Sequence, residues 1–134
     1  MQLALVIAIS VHILAATFWA GSTFALARVA GAGSEKLFFP QVAAALFAMV
    51  AGGYLWHTLH EGSLGTTETL LATGALAAVL ALAIQVAVVG GALRRLRKGD
   101  SDNPSARSRI AIAHRAAAIL LALAAVTMAA SRYA

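Results

Sequence analysis

Four histidines, His12, His57, His60 and His114, are the side chains of this sequence best suited to hold a metal. There is no cysteine, which excludes thiolate metal sites, iron–sulfur clusters, disulfides and cysteine nucleophiles. His12 stands in SVHILAATFWAG, residues 10–21, inside a run otherwise made of Leu, Ile, Val, Ala and Phe. An ionisable group at the centre of a lipid bilayer costs about 2.5 kcal/mol or more, so a histidine there is a candidate for function. One reading is structural, a neutral imidazole donating one hydrogen bond to a carbonyl or a threonine of a neighbouring helix. The other is chemical, a ligand to a metal or to haem iron, for which neutral imidazole is well suited. Ala8 and Ala16, one turn away on the same helical face, leave room for a flat macrocycle. Trp19, seven residues on, could close one edge of such a pocket.

The other histidines carry weaker signals. His57 falls at the end of an apolar run, where an imidazole can simply be solvated. Gly53, four residues earlier on the same face, removes the side chain that would collide with a porphyrin, yet Gly52 and Gly53 equally suit close helix packing. His57 and His60 are spaced i, i+3 and share a face if the helix continues that far. With Glu61 they form a weak motif for Cu(II) or Zn at the outer surface. His60 could instead bond a haem propionate. His114, beside Arg115 and after Arg107 and Arg109, reads as a side chain that snorkels to the headgroups. Gln85 is the one strongly polar residue of the third apolar run, and an interhelical hydrogen bond is its expected role.

What positions these residues follows from composition. Of 134 residues, 61% are hydrophobic and 11% charged, against roughly 25% charged in soluble domains. About 20 consecutive apolar residues are needed to cross a membrane as a helix, and four segments qualify: about 3–29, 37–56, 70–93 and 110–130. The expected fold is an all-α, antiparallel four-helix transmembrane bundle forming a single domain. The first segment lacks a basic start and its apolar stretch is too long for a signal peptide, so it counts as a span. Gly99, Asp100, Asn103 and Pro104 break helix in the third connection, with Ser105 or Ser108 as the next cap.

The net charge of +5 could suggest nucleic acid, but the cations crowd one connection without interleaved aromatics. Arg94, Arg95, Arg97, Lys98, Arg107 and Arg109 lie in the third connection, and Arg28 and Lys36 flank the first. The second has His57, His60, Glu61 and Glu68 and no Lys or Arg. The positive-inside rule then puts the first and third connections in the cytoplasm and both termini outside, in the cell's inner membrane. No nucleic-acid partner is expected. Tyr54, Trp56 and Tyr133 fit an aromatic belt at the outer surface. No carboxylate lies deep in a span, and no hydrolase, nucleotide-binding or zinc-protease motif is present.

HILAATFWAG, within residues 11 to 21, resembles the first helix of the copper-resistance D (CopD-like) membrane proteins and of the HemJ-like protoporphyrinogen oxidases, with looser similarity through Gly53 and His57. In both groups an early histidine is followed by a Trp and a small residue. The resemblance implies a helical bundle and His12 as an iron or copper ligand, with Trp19 and Gly21 beside it. The chain departs from the HemJ-like pattern after this helix, reading FALARVAGAG rather than a Pro-Arg and aromatic-rich sequence, and its methionines are scattered.

These observations converge on a membrane b-type haem protein with an electron-transfer or oxidoreductase role. His12 and His57 are the iron ligands, and Trp19, Gly53 and His60 line the site. A membrane redox partner, a quinone, a second copy or a larger complex are the expected partners. Two other readings stand beside it: a copper-handling protein with His57, His60 and Glu61 at its surface, and a cofactor-free accessory subunit of a larger assembly.

Overall fold

The computed structural model describes residues 2–60, 62, 64–99 and 104–134. It is all-helical, with no strand among the described residues. Helix α1 spans Gln2–Arg28, α2 Ser34–Leu59, α3 Thr66–Ile84, α4 Gly90–Arg97 and α5 Pro104–Ser131. A π-helical turn, Gln85–Val89, joins α3 to α4, making one rod over Thr66–Arg97. Four helices are therefore long and apolar enough to cross a membrane.

Three of the four helical rods run further than expected. α2 begins at Ser34 rather than near Leu37, the third rod covers Thr66–Arg97 rather than 70–93, and α5 begins at Pro104 rather than near Ile110. Hydropathy reads only the part of a helix that meets hydrocarbon, whereas backbone hydrogen bonding carries the helix on through polar turns. Pro104, with no N–H to leave unpaired, opens α5, so Ser105 and Ser108 lie inside the helix rather than capping it. At α3 the Gly65 N–H donates to Glu68 Oε2 at 2.9 Å, satisfying one orphan donor of the first turn.

Apolar side chains cover the outside on every face. Leu3, Leu14, Val50, Leu76, Ile119 and Val126 are all more than half exposed. Water would penalise so continuous an apolar surface, and lipid does not. The interior is correspondingly small-grained: Ala45, Ala48, Ala77, Ala81, Ala113, Ala117 and Ala118 are buried around Trp19, Leu26 and Ile110. Small residues let helix backbones approach closely, which drives association where lipid removes the hydrophobic incentive. α3 packs most extensively on α5 and α1 on α2, and α1 also lies against α5.

At one end the helix termini interlock. The α1–α2 turn places Gly31, at φ +79°, against Ile110 of α5, where an added Cβ would sit 2.6 Å from Ile110 Cγ2. Gly90 meets the Phe38 ring of α2 in the same way, at 3.0 Å. Glu35 and Arg107 pair across α2 and α5 at 3.1 Å.

Candidate functional site

His12 is half-buried, and its Nδ1 lies 2.7 Å from the Ala48 carbonyl oxygen of α2. A carbonyl only accepts, so Nδ1 carries the proton of the neutral ring and Nε2 keeps a lone pair. Among the described residues that Nε2 has no hydrogen-bond partner. The ring lies against Gly52, where a Cβ would come within 3.0 Å of His12 Cε1 and 3.2 Å of Nδ1. The glycine that admits the imidazole is thus Gly52. Gly53 opens on free space, because the 100° rotation between successive helical residues turns it off the Ala45–Ala48–Gly52 line that faces α1.

Trp19 takes a different place from the pocket edge expected of it. It is 3% exposed, and its Nε1–H donates to Gln85 Oε1 at 2.6 Å. Gln85 Nε2 donates in turn to Thr23 Oγ1 at 3.0 Å, and Thr23 donates to the Trp19 carbonyl at 2.7 Å. Gln41 of α2 joins by donating to Ser22 and Thr23 at 3.1 and 3.2 Å. This network ties α1, α2 and the π turn together. Gln85 has the interhelical role expected of it. Gln41 carried the same signal, a polar residue in an apolar span, but sits close enough to Glu35 and Lys36 to pass for an interfacial one.

The π turn explains how Gln85 reaches inward. Ala77, Ala81, Gln85, Val89 and Leu93 are all buried, at a constant spacing of four. In an ideal α-helix each such step drifts by about 40°, so the stripe would wind off the core within a few turns. A wider turn, closed by the Gly90 N–H to the Gln85 carbonyl, absorbs part of that drift.

His114 does not snorkel. It is fully buried, with Nε2 3.1 Å from Ser34 Oγ. Ser34 spends its hydroxyl proton on the Gly31 carbonyl at 2.6 Å, so His114 Nε2 is the donor to Ser34, and Nδ1 has no partner among the described residues. The residue stitches the start of α2 to α5, one turn too deep in the bundle for its short side chain to reach the surface.

His57 and His60 are not drawn together with His12. His57 is exposed and lies five residues beyond Gly52 on α2, about 7.5 Å along the helix axis and about 140° round it. α2 ends at Leu59, and His60 is its C-cap in an extended conformation, so His57 and His60 do not share a helical face. The His60 ring instead stacks on Trp56, with centroids 5.2 Å apart. Glu61 lies outside the described residues, and among those described no three His, Asp or Glu side chains form a group able to hold a metal. An apolar groove of about 400 Å³ runs between the N-terminal half of α1 and the C-terminal half of α2, lined by Ala4, Ala8, Phe47, Ala51 and Tyr54 among others.

These features give an all-helical protein with four helices long and apolar enough to cross a membrane, two hydrogen-bonded histidines, His12 and His114, and a buried polar network. No protein-family model, curated protein or solved structure matches the chain.

Proposed function

We propose that the four spans run antiparallel through the cytoplasmic membrane with both termini outside, and that the protein holds b-type haem through His12. The orientation rests on the basic residues gathered at the interlocked end, where Glu35 meets Arg107 and Gly31 meets Ile110. The haem reading rests on one observation: Nδ1 of His12 is tied to Ala48 O while Nε2 is free. A backbone carbonyl on one ring nitrogen is the usual support for an imidazole that ligates through the other. Gly52 leaves room for the imidazole, and an apolar groove lined by Ala8, Val11 and Ala51, sequence neighbours of His12 and Gly52, opens between the two helices.

The residues present fit one protein ligand per chain. His57, exposed and turned about 140° round α2 from Gly52, does not share the face that meets His12, so it is left out of the proposed ligand set, as are Trp19, bonded to Gln85, and Gly53, which faces open space. Bound haem would supply one-electron chemistry toward a quinone or a membrane redox partner, in keeping with the resemblance to CopD-like and HemJ-like proteins. This chain contributes the nitrogen ligand, its orientation and a dry apolar wall.

A second reading, the cofactor-free accessory subunit, is favoured by the same hydrogen bond, since His12 donating to Ala48 O also clamps α1 to α2 without any ligand. One experiment separates them. Purified protein is expected to show a Soret band that His12→Ala abolishes, added imidazole restores and His57→Ala leaves intact. Colourless protein, with His12→Ala merely less stable, would establish the clamp instead.

A further inference from the structure

At the interlocked end a cavity of about 220 Å³ opens between α2, α4 and α5. Phe38, Phe39, Leu93 and Leu96 form its apolar walls, and Arg97 and Arg107 stand at its mouth. We propose that this cavity binds the phosphodiester headgroup of an anionic phospholipid, with the lipid's first carbons against the two phenylalanines.

Charge and shape argue together. Arg94, Arg95, Arg97 and Lys98 crowd the end of α4, and Arg107 of α5 lines the cavity with Arg97. The acid at the cavity is Glu35, whose Oε1 accepts from Arg107 Nη1 at 3.1 Å with both side chains nearly half exposed. Arg97 makes no ion pair among the described residues. A guanidinium with free N–H groups beside an apolar wall is matched to a ligand with a phosphate at one end and hydrocarbon at the other. Phe39, two-thirds exposed beside this cluster, presents hydrocarbon where the cations present charge. Glu35 occupies the position of a competing anion, holding Arg107 over the cavity until a phosphate replaces it. The inference needs the spans to cross a bilayer and is independent of any ligand at His12.

The test uses the full chain in a non-ionic detergent, with dioleoyl phosphatidylglycerol, dioleoyl phosphatidylcholine or inorganic phosphate added. Retained lipid is counted by native mass spectrometry and stability followed by thermal unfolding. Phosphatidylglycerol is expected to bind and raise the melting temperature, and phosphatidylcholine and inorganic phosphate to do neither. Arg97→Gln and Arg107→Gln should each weaken binding about fivefold, the effect of one surface cation on an anionic lipid. Both residues are exposed, so the variants keep the fold. Glu35→Gln should tighten binding, whereas Arg94→Gln, outside the cavity, should leave the bound lipid in place. Stabilisation by inorganic phosphate alone, undiminished binding in the Arg97→Gln, Arg107→Gln double variant, or weaker binding in Glu35→Gln would overturn the proposal.

Discussion

Gln85 shows how much one side chain can carry in a core made largely of alanine. Its amide accepts from Trp19 and donates to Thr23, joining residues 66 and 62 positions apart. Single interhelical hydrogen bonds in membranes average about 0.6 kcal/mol, but a buried indole N–H left without an acceptor costs about 1–3 kcal/mol. Gln85→Leu is therefore expected to lower stability by about 1–3 kcal/mol, measured by reversible unfolding in mixed micelles. Trp19→Phe in the same background should add less than it does alone, because the two residues share one bond. The polarity of Gln85 in an apolar run was legible as a helix–helix bond. Its partners were not, because nothing local records which turn of α1 lies opposite. His12 is similar: the possibility of a bond to a carbonyl was legible, and Ala48 as the acceptor was not.

Between helices, the glycines divide by what they face. A Cβ on Gly74 would meet Thr127 Oγ1 at 2.8 Å, Met128 Cγ at 2.9 Å and the Ala124 carbonyl at 3.1 Å. The backbone oxygen cannot swing aside, so Gly74→Ala should pry α3 from α5 and destabilise by about 1–3 kcal/mol, the usual range for overpacking. Gly21 faces nothing within 4 Å, and Gly21→Ala should be neutral or stabilising by up to about 1 kcal/mol, from helix propensity alone. Thermal unfolding of the two variants side by side checks the contrast. In the sequence both glycines sit in apolar helical runs and look alike. The π turn was equally hidden, since the four-residue spacing from Ala77 to Leu93 becomes a signal only once those positions are known to be buried.

For the whole molecule, charge decides direction. Nine of the ten Lys and Arg residues lie at or near the interlocked end, from Arg28 and Lys36 through Arg115, leaving Arg132 near the C-terminus. Reporter fusions should therefore report a cytoplasmic side at residue 99 and an external side at residue 62, because short basic loops stay inside. The reverse pattern would invert the orientation and put the anionic-lipid cavity on the external leaflet. Substituting Arg94, Arg95, Arg97 and Lys98 together by Gln should scramble the insertion of some molecules, seen as mixed reporter activity.

The sequence by itself determined the all-helical character, the four long apolar segments and the charge asymmetry, because each is a sum over many residues. A long, predominantly apolar segment outweighs any single contact, and a cluster of arginines needs no partner to be positive. What only the tertiary structure decided was pairwise: Gly52 rather than Gly53 beside the imidazole, Trp19 given to Gln85, and His114 turned inward to Ser34. An apolar helix carries no amphipathic stripe to mark its inward face, so its rotation is set by where small residues let a neighbour approach. His12 and His57 are both helical histidines in the sequence. The register of α1 on α2, fixed by Ala48 and Gly52, anchors one and leaves the other exposed, five residues beyond Gly52.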